Sequence, residues 1–408
     1  MPRPLEGLRI VDLTTVVMGP YATQLLGDMG ADIIKVEAPT GDTTRKTLPM
    51  RSANMGWTYL GLNRNKRSIV LDLKHEDGLA ALFKIVEDAD VLISNIRPQA
   101  MARLGLGYEQ LSARNPGLVC VNLVGFDEDG PYAGKPVYED LIQGLTAVPS
   151  ILVDAGSSKP HFVPLSFNDR AVGLHAAVSL LGALHWRQKT GEGQHIQIPM
   201  FETMVPFTLG GHVGGMAFEP PLGPPGYKRT LTDRRGPYRT ADGYICTIIY
   251  TDKHWQAFLA LIGKAELFDT DPRFKDFGSR TEYSNELYPM IYETLATKTT
   301  EEWLALFEKA DIPATRLHTL ESIYDDPHLQ AIDYFKVEEH PTEGLIKTMS
   351  VAEKWSKTQP DVRRQAPLLG QHSVEILKEA GVPEEQIERM IRAGATRDPQ
   401  AKAHAEQE

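Results

Sequence analysis

The sequence predicts an α/β protein: a large domain on a doubly wound parallel sheet, followed by a smaller α/β domain. Two observations carry this. Short apolar runs at Leu8–Leu13, Ile33–Val36, Ser68–Leu73, Val91–Ser94 and Leu118–Leu123 alternate with helical stretches. That alternation is the pattern of strands buried on both faces by crossover helices. The chain is also 408 residues long, more than one ordinary core accommodates.

The elements follow in order. LRIVDL is the first strand, and Tyr21–Met29 the helix after it. IIKV is the second strand, so the first unit is a strand–helix–strand for which a right-handed parallel crossover is expected. The turn between them holds Gly19-Pro20 but no GxGxxG, which argues against a dinucleotide-dependent dehydrogenase. SIVLDL leads into a helix over His75–Asp88, where Leu79, Leu82, Ile85 and Val86 recur at helical spacing. VLIS and LVCVNL are the fourth and fifth strands; later, after the TGEGQ turn, come Ile196–Ile198 and a segment beginning Met200–Phe207. Ligands of such sheets bind at the carboxyl ends of the strands, where Val16, Lys74, Asn95, Arg97 and Gly125 fall. Gly210–Gly236 is rich in glycine and proline and reads as a linker. Beyond it, a strand at Tyr244–Tyr250 and helices near His254–Ile262, Glu282–Leu295 and Thr300–Ala310 form the smaller domain. Two helices, Ser373–Ala380 and Glu384–Ala393, are expected in the tail, whose polar end from Thr396 should fray. The expected division is 1–200 for the first part of the large domain, 201–236 for the linker and 237–330 for the small domain. Residues 331–408 then form a second linker and a returning segment.

Composition narrows the function. A net charge of −11 argues against nucleic acid and anionic membrane surfaces as partners. Two cysteines, Cys120 and Cys246, are too few for a disulfide framework or a cysteine-based metal site, and no metal is expected. The N-terminus has no apolar signal core and no apolar run is long enough to span a membrane, so a cytoplasmic protein is expected. Arg64, Lys66, Arg67, Lys74, Arg97, Arg103 and Lys135 lie around strand ends in this acidic chain, and a phosphate-bearing ligand would suit them.

The most informative stretch is Pro164–Thr203. From Ala171 to Trp186 its polar side chains are His175, Ser179 and His185, so a helix buried all round is expected. Asp169 opens it, where the positive end of the helix dipole favours a carboxylate. Taken alone, Asp169 reads either as a helix cap or as a reactive group. Gly173, one turn on, and Gly182 are weak helix formers that imply close packing or a ligand.

Several segments in fixed order bear a resemblance: LEGLRIVDLTTVVMGPYATQLLGDMGADIIKVEAPTGDTTR, LNRNKRSIVLDLK, NIRPQAMARLGLGYEQLSARNPGL, GFDEDGPYAGKPVYEDLIQGL, TGEGQ, DPRF and APLLGQHSVEIL. Together they make the chain resemble, nearly end to end, the class III CoA-transferases, which include formyl-CoA transferase and carnitine CoA-transferase. The resemblance implies a Rossmann-like large domain, a small domain reached by long linkers, and a homodimer of two interlinked rings. It implies acyl-CoA and a carboxylic acid as substrates, with coenzyme A as substrate rather than resident cofactor. It makes Asp169 the nucleophile, forming an aspartyl anhydride and then an aspartyl-CoA thioester, with Gly173 leaving room for the thioester. An aspartate ionised at neutral pH would need no general base. Val16, Leu71, Lys74, Asn95, Ile96, Arg103 and Lys135 become CoA contacts, joined by Arg97 from the strand-end reading. Tyr138, Glu139 and Val17 would shape the substrate pocket. A glycine-rich loop, Gly210–Gly215 or Gly223–Gly226, would exclude water.

Departures from the family pattern limit the substrate. Ser94-Asn95-Ile96 replaces the usual acidic-Asn-Phe, Gly125-Phe126-Asp127 replaces Gly-Phe-Gly, and SFN precedes the aspartate. Val17 and Ala38 stand where formyl-CoA transferase has a polar pocket residue and a CoA-contacting arginine. Formate and oxalate are therefore not assumed; succinyl-CoA or another small dicarboxylyl-CoA is the expected donor. The alternatives are an α-methylacyl-CoA racemase and a non-catalytic CoA-binding protein. The racemase motif has a histidine where this chain has Glu139, and the intact Asp169 argues against a silent binder.

Overall fold

The computed structural model describes residues 3–399; residues 400–408, most of the tail expected to fray, lie outside the described residues. It divides into two compact units. The first comprises the chain up to Ile142, Pro164–Val205 and the stretch from Pro327 on; the second comprises Gln143–Val163 and Pro206–Asp326.

The first unit is built on a parallel sheet of six strands: β1 (Arg9–Asp12), β2 (Asp32–Glu37), β3 (Lys66–Val70), β4 (Val91–Ser94), β5 (Val119–Val124) and β6 (Gln194–Pro199). Their order is β3-β2-β1-β4-β5-β6, which reverses direction between β1 and β4. Helix α1 (Met18–Asp28) follows β1 and α2 (Glu76–Glu87) follows β3. Helix α3 (Pro98–Arg103) follows β4, and α4 (Glu139–Leu145) follows β5. The long α5 (Phe167–Thr190) precedes β6, and α6 (Met200–His212) follows it. The register sets Ile10 between Ile33 and Val91, and Val11 between Ile34 and Leu92. Because successive side chains face opposite sides, the first trio joins the core beneath α1 and α5, and the second joins the core beneath α2. Ile376, Leu377, Ile387 and Met390 of the two C-terminal helices complete that second core.

Helix α5 departs from the expected all-round burial. Val172, Ala176 and Leu180 are buried, but Leu174, Val178 and Trp186 are 48%, 68% and 50% exposed. One apolar face of this helix is therefore uncovered in the single chain. Gly191, at φ +79°, ends the helix in the left-handed conformation that the TGEGQ turn requires.

The second unit has an antiparallel sheet, Tyr238–Arg239, Tyr244–Thr247 and Ala314–Arg316. Helices Asp252–Leu261, Ser284–Leu295 and Thr300–Lys309 accompany it. Trp255, Phe258, Phe274, Trp303 and Phe307 form its aromatic core. The expected strand to Tyr250 stops at Thr247. Within the expected linker, Gly210 and Gly211 are helical, in the last turn of α6. No described helix is long and apolar enough to cross a membrane.

Candidate active site

The reversal between β1 and β4 opens a crevice at the carboxyl ends of the strands, where this topology holds its ligands. A cavity lies there. Its walls come from Thr15–Met18 after β1, Asn95–Pro98 after β4, Leu123–Phe126 after β5, Gly134–Tyr138 ahead of α4, and Asp169 of α5.

Asp169 sits in the first turn of α5, but it is not the cap. Glu139, thirty residues earlier in the chain, does that work. Its Oε2 accepts from the Asp169 backbone N–H at 2.9 Å, and its Oε1 accepts from the Asn168 backbone N–H at 3.3 Å and from Asn168 Nδ2 at 2.9 Å. The Asp169 carboxylate has no hydrogen-bond partner among the described residues and faces the cavity. Burial first, and then the Glu139 carboxylate, push the Asp169 carboxyl up to about 7, against the pull of Arg170. This corrects the expectation of an ordinary carboxylate. Near neutral pH both of its protonation states are populated.

The turn after β1 is unusual. Val16 has φ +73°, a left-handed conformation that a β-branched residue rarely adopts. Its N–H points to the buried Asp42 carboxylate, 3.3 Å from both oxygens. From this turn α1 starts, with Val17 and Met18 at its mouth and in the cavity wall.

The residues expected to line the site are gathered in part. Val16, Val17, Asn95, Arg97, Lys135, Tyr138 and Asp169 share the cavity, and Glu139 reaches it through the Asp169 amide. Arg97 and Lys135 are exposed cations on its edge, with Lys135 Nζ 4.2 Å from the centre of the Tyr132 ring. Asn95 lines the cavity and also braces its wall. Its Oδ1 accepts from Thr15 N–H and its Nδ2 donates to Thr15 C=O, both at 3.0 Å, so the side chain ties the two sides of the crevice together. Leu71 is 1% exposed and is plain core, and Ile96 packs against the same core. Lys74 and Arg103 are exposed and are not among the cavity's lining residues. Gly173 does not open room for a thioester. A Cβ there would lie 2.6 Å from the Met18 carbonyl oxygen, so the glycine lets α5 pack against α1. Gly182 has open space around it and serves no contact.

Three of the basic residues grouped as phosphate ligands are engaged elsewhere. Lys66 is fully buried against Asp12, Arg64 is paired with Asp28, and Arg67 binds Asp32, Glu375 and Glu379. Met18, Phe126, Glu128 and Met200 line the cavity without any sequence signal for it. Among the described residues, no group of three or more His, Cys, Asp or Glu side chains is placed to hold a metal ion.

The strand order sets a crevice with exposed cations at its rim and, among the described residues, a partly buried Asp169 carboxylate without a hydrogen-bond partner. Comparison with known proteins shows the family. The model of CoA-transferase family III matches residues 5–373. The chain is 32% identical to the succinyl-CoA–D-citramalate CoA-transferase of Chloroflexus aurantiacus over 387 residues, covering 92% of this chain and 93% of that one. It is 30% identical to the human succinyl-CoA:glutarate CoA-transferase over 383 residues, covering 92% and 86%. A CaiB/BaiF family protein from Brucella suis superposes with a TM-score of 0.77 at 27% identity, covering 93% of this chain and all of that one. The chain belongs to CoA-transferase family III and is a transferase that uses CoA thioesters as substrates.

Proposed function

We propose that the protein moves CoA from a small acyl-CoA donor to a carboxylic acid, with Asp169 as the nucleophile. The observation that carries this is the Asp169 carboxylate, without a hydrogen-bond partner among the described residues and lining the crevice cavity at the start of α5. The ionised carboxylate attacks the donor thioester carbonyl; the C–S bond breaks, giving an aspartyl–acyl anhydride and CoA thiolate. Thiolate attacks the aspartyl carbonyl, forming an aspartyl-CoA thioester and releasing the donor acid. The acceptor carboxylate displaces thiolate to form a second anhydride. Thiolate then takes the acceptor's acyl group and regenerates Asp169.

Each tetrahedral intermediate needs donors for its oxyanion. The N–H groups of Val17 and Met18, which open α1 in the cavity wall, are suited to this. Arg97 and Lys135 take anionic parts of CoA, with Lys74 and Arg103 as outer phosphate contacts, while Tyr138 and Val17 shape the acceptor pocket. Relatives named for succinyl-CoA favour a dicarboxylyl-CoA donor and a dicarboxylic or hydroxy acid acceptor. The uncovered apolar face of α5 favours a homodimer, interlinked as in the family. A screen of acyl-CoA donors against carboxylic acids, monitored as new acyl-CoA formed, tests the proposal. CoA exchange that disappears in Asp169→Ala supports it; undiminished exchange in that variant overturns it.

A further inference from the structure

Within the segment Thr14–Val16, the side chains of four residues, Asp12, Lys35, Asn95 and Asp42, hold the backbone at nearly every polar group. Thr14 N–H donates to Asp12 Oδ1 at 2.8 Å, and Lys35 Nζ donates to Thr14 C=O at 3.0 Å. Asn95 takes both polar groups of Thr15, and Asp42 takes the N–H of Val16. Such a concentration is needed because Val16 is left-handed, which its branched side chain resists. A glycine would adopt that conformation freely, yet the chain places a valine there, and Val16 is part of the cavity wall.

Asp42 is the member of this set that acts on the strained residue itself. It also caps the short helical turn Thr43–Lys46, accepting from Thr44 N–H at 2.9 Å and Thr44 Oγ1 at 2.8 Å. A surface turn makes such a cap without burying charge. Here Asp42 is 1% exposed and its partner Lys35 0%, with Lys35 Nζ 3.0 Å from Asp42 Oδ2. One buried ion pair therefore grips the segment at both ends: Lys35 at the Thr14 carbonyl and Asp42 at the Val16 amide.

We propose that Asp42 is a positioning residue for the transfer site: seated by Lys35, it holds Val16 left-handed and so preforms the turn that delivers Val17 and Met18 to the face of Asp169. Asp42 is not among the cavity's lining residues. The value of the clamp to turnover rests on the CoA-transferase reading; the clamp itself does not.

Two measurements test it. The first is hydrogen–deuterium exchange of peptides covering residues 14–18 in the full chain without substrate. Asp42→Ala should speed exchange of the Val16 amide at least tenfold; unchanged exchange overturns the clamp, whatever reaction the protein performs. The second is a comparison of backgrounds, using turnover with succinyl-CoA as donor. Asp42→Ala should lower kcat at least tenfold, with the donor KM changed less than threefold. In a Val16→Gly background, where the left-handed turn no longer needs enforcement, the same substitution should lower kcat less than threefold below that of Val16→Gly alone. An equal loss in both backgrounds means that Asp42 acts through general structure and overturns the proposal. If Asp42→Ala fails to fold because Lys35 is left unpaired, Lys35→Met/Asp42→Leu removes both charges together and is read the same way.

Discussion

Two sets of charged residues lie around the same edge of the sheet, and they are used in opposite ways. Beneath the edge, Asp12, Lys35, Glu37, Asp42, Arg45 and Lys66 are all nearly or fully buried and neutralise one another. Arg45 pairs with Glu37 at 2.7 Å, stacks 3.7 Å above the Tyr59 ring and donates to the Pro367 carbonyl. Burial drags the Lys66 ammonium down to about 8 even beside Asp12. At the rim, Arg97 and Lys135 are exposed, and Asp169 has no hydrogen-bond partner among the described residues. The buried set shapes the turn and the strand ends; the rim set is left available to a ligand. Position relative to the sheet, rather than charge, separates scaffold from site.

Substitutions can break or sharpen this contrast. The largest effect is expected at the rim: Asp169→Ala should lower kcat by at least about 10³-fold, as removal of a covalent nucleophile does, while leaving CoA binding measurable by calorimetry. In the buried set, Arg45→Ala leaves Glu37 without its partner, and denaturant unfolding should show a loss of about 3–5 kcal/mol. By contrast, Arg97→Ala and Lys135→Ala should leave the unfolding midpoint alone. Each should weaken CoA binding by about 1.5–3 kcal/mol, the range of hydrogen bonds to charged groups. Gly173→Ala drives a methyl against the Met18 carbonyl and should destabilise the chain by about 1–3 kcal/mol, the usual range for overpacking.

The smallest effect is a shift in pH dependence. In the proposed chemistry Asp169 attacks as the carboxylate, so kcat/KM should rise with pH through about 7 and level off above it. Glu139→Gln removes a like charge and should move this limb to lower pH. Burial, the larger cause, remains and keeps the limb above the ordinary carboxylate range. A limb that stays in place means the Glu139 charge does not reach the nucleophile.

Much of the fold was legible because strands buried on both faces write themselves as apolar runs: VLIS is β4 to the residue. The carboxyl-end rule then pointed to Val16, Asn95 and Arg97, which do line the cavity. What escaped the sequence depended on pairing across distance. IIKV and KRSIV look alike in carrying a lysine, but nothing local says that Lys35 meets Asp42 or that Lys66 meets Asp12. Asp42 caps the short turn that follows it, and its grip on Val16 is invisible without the sheet. Glu139 capping α5 from a separate helix likewise has no local signature, so Asp169 could be read as its own cap. Leu174, Val178 and Trp186 were read as core because an apolar side chain does not say whether its own chain or another covers it.

The central claim is that Asp169 carries the acyl and CoA groups covalently. The direct test is mass spectrometry of the Asp169 peptide after the full-length protein turns over succinyl-CoA, or another donor that supports exchange, in the presence of hydroxylamine. The amine displaces CoA thiolate from an aspartyl thioester, or the donor carboxylate from an anhydride, and leaves an aspartyl hydroxamate. The account predicts that modification at Asp169 and its absence when donor is omitted. Unmodified Asp169 in an enzyme inactivated by the treatment, or a hydroxamate found only on another residue, would contradict it.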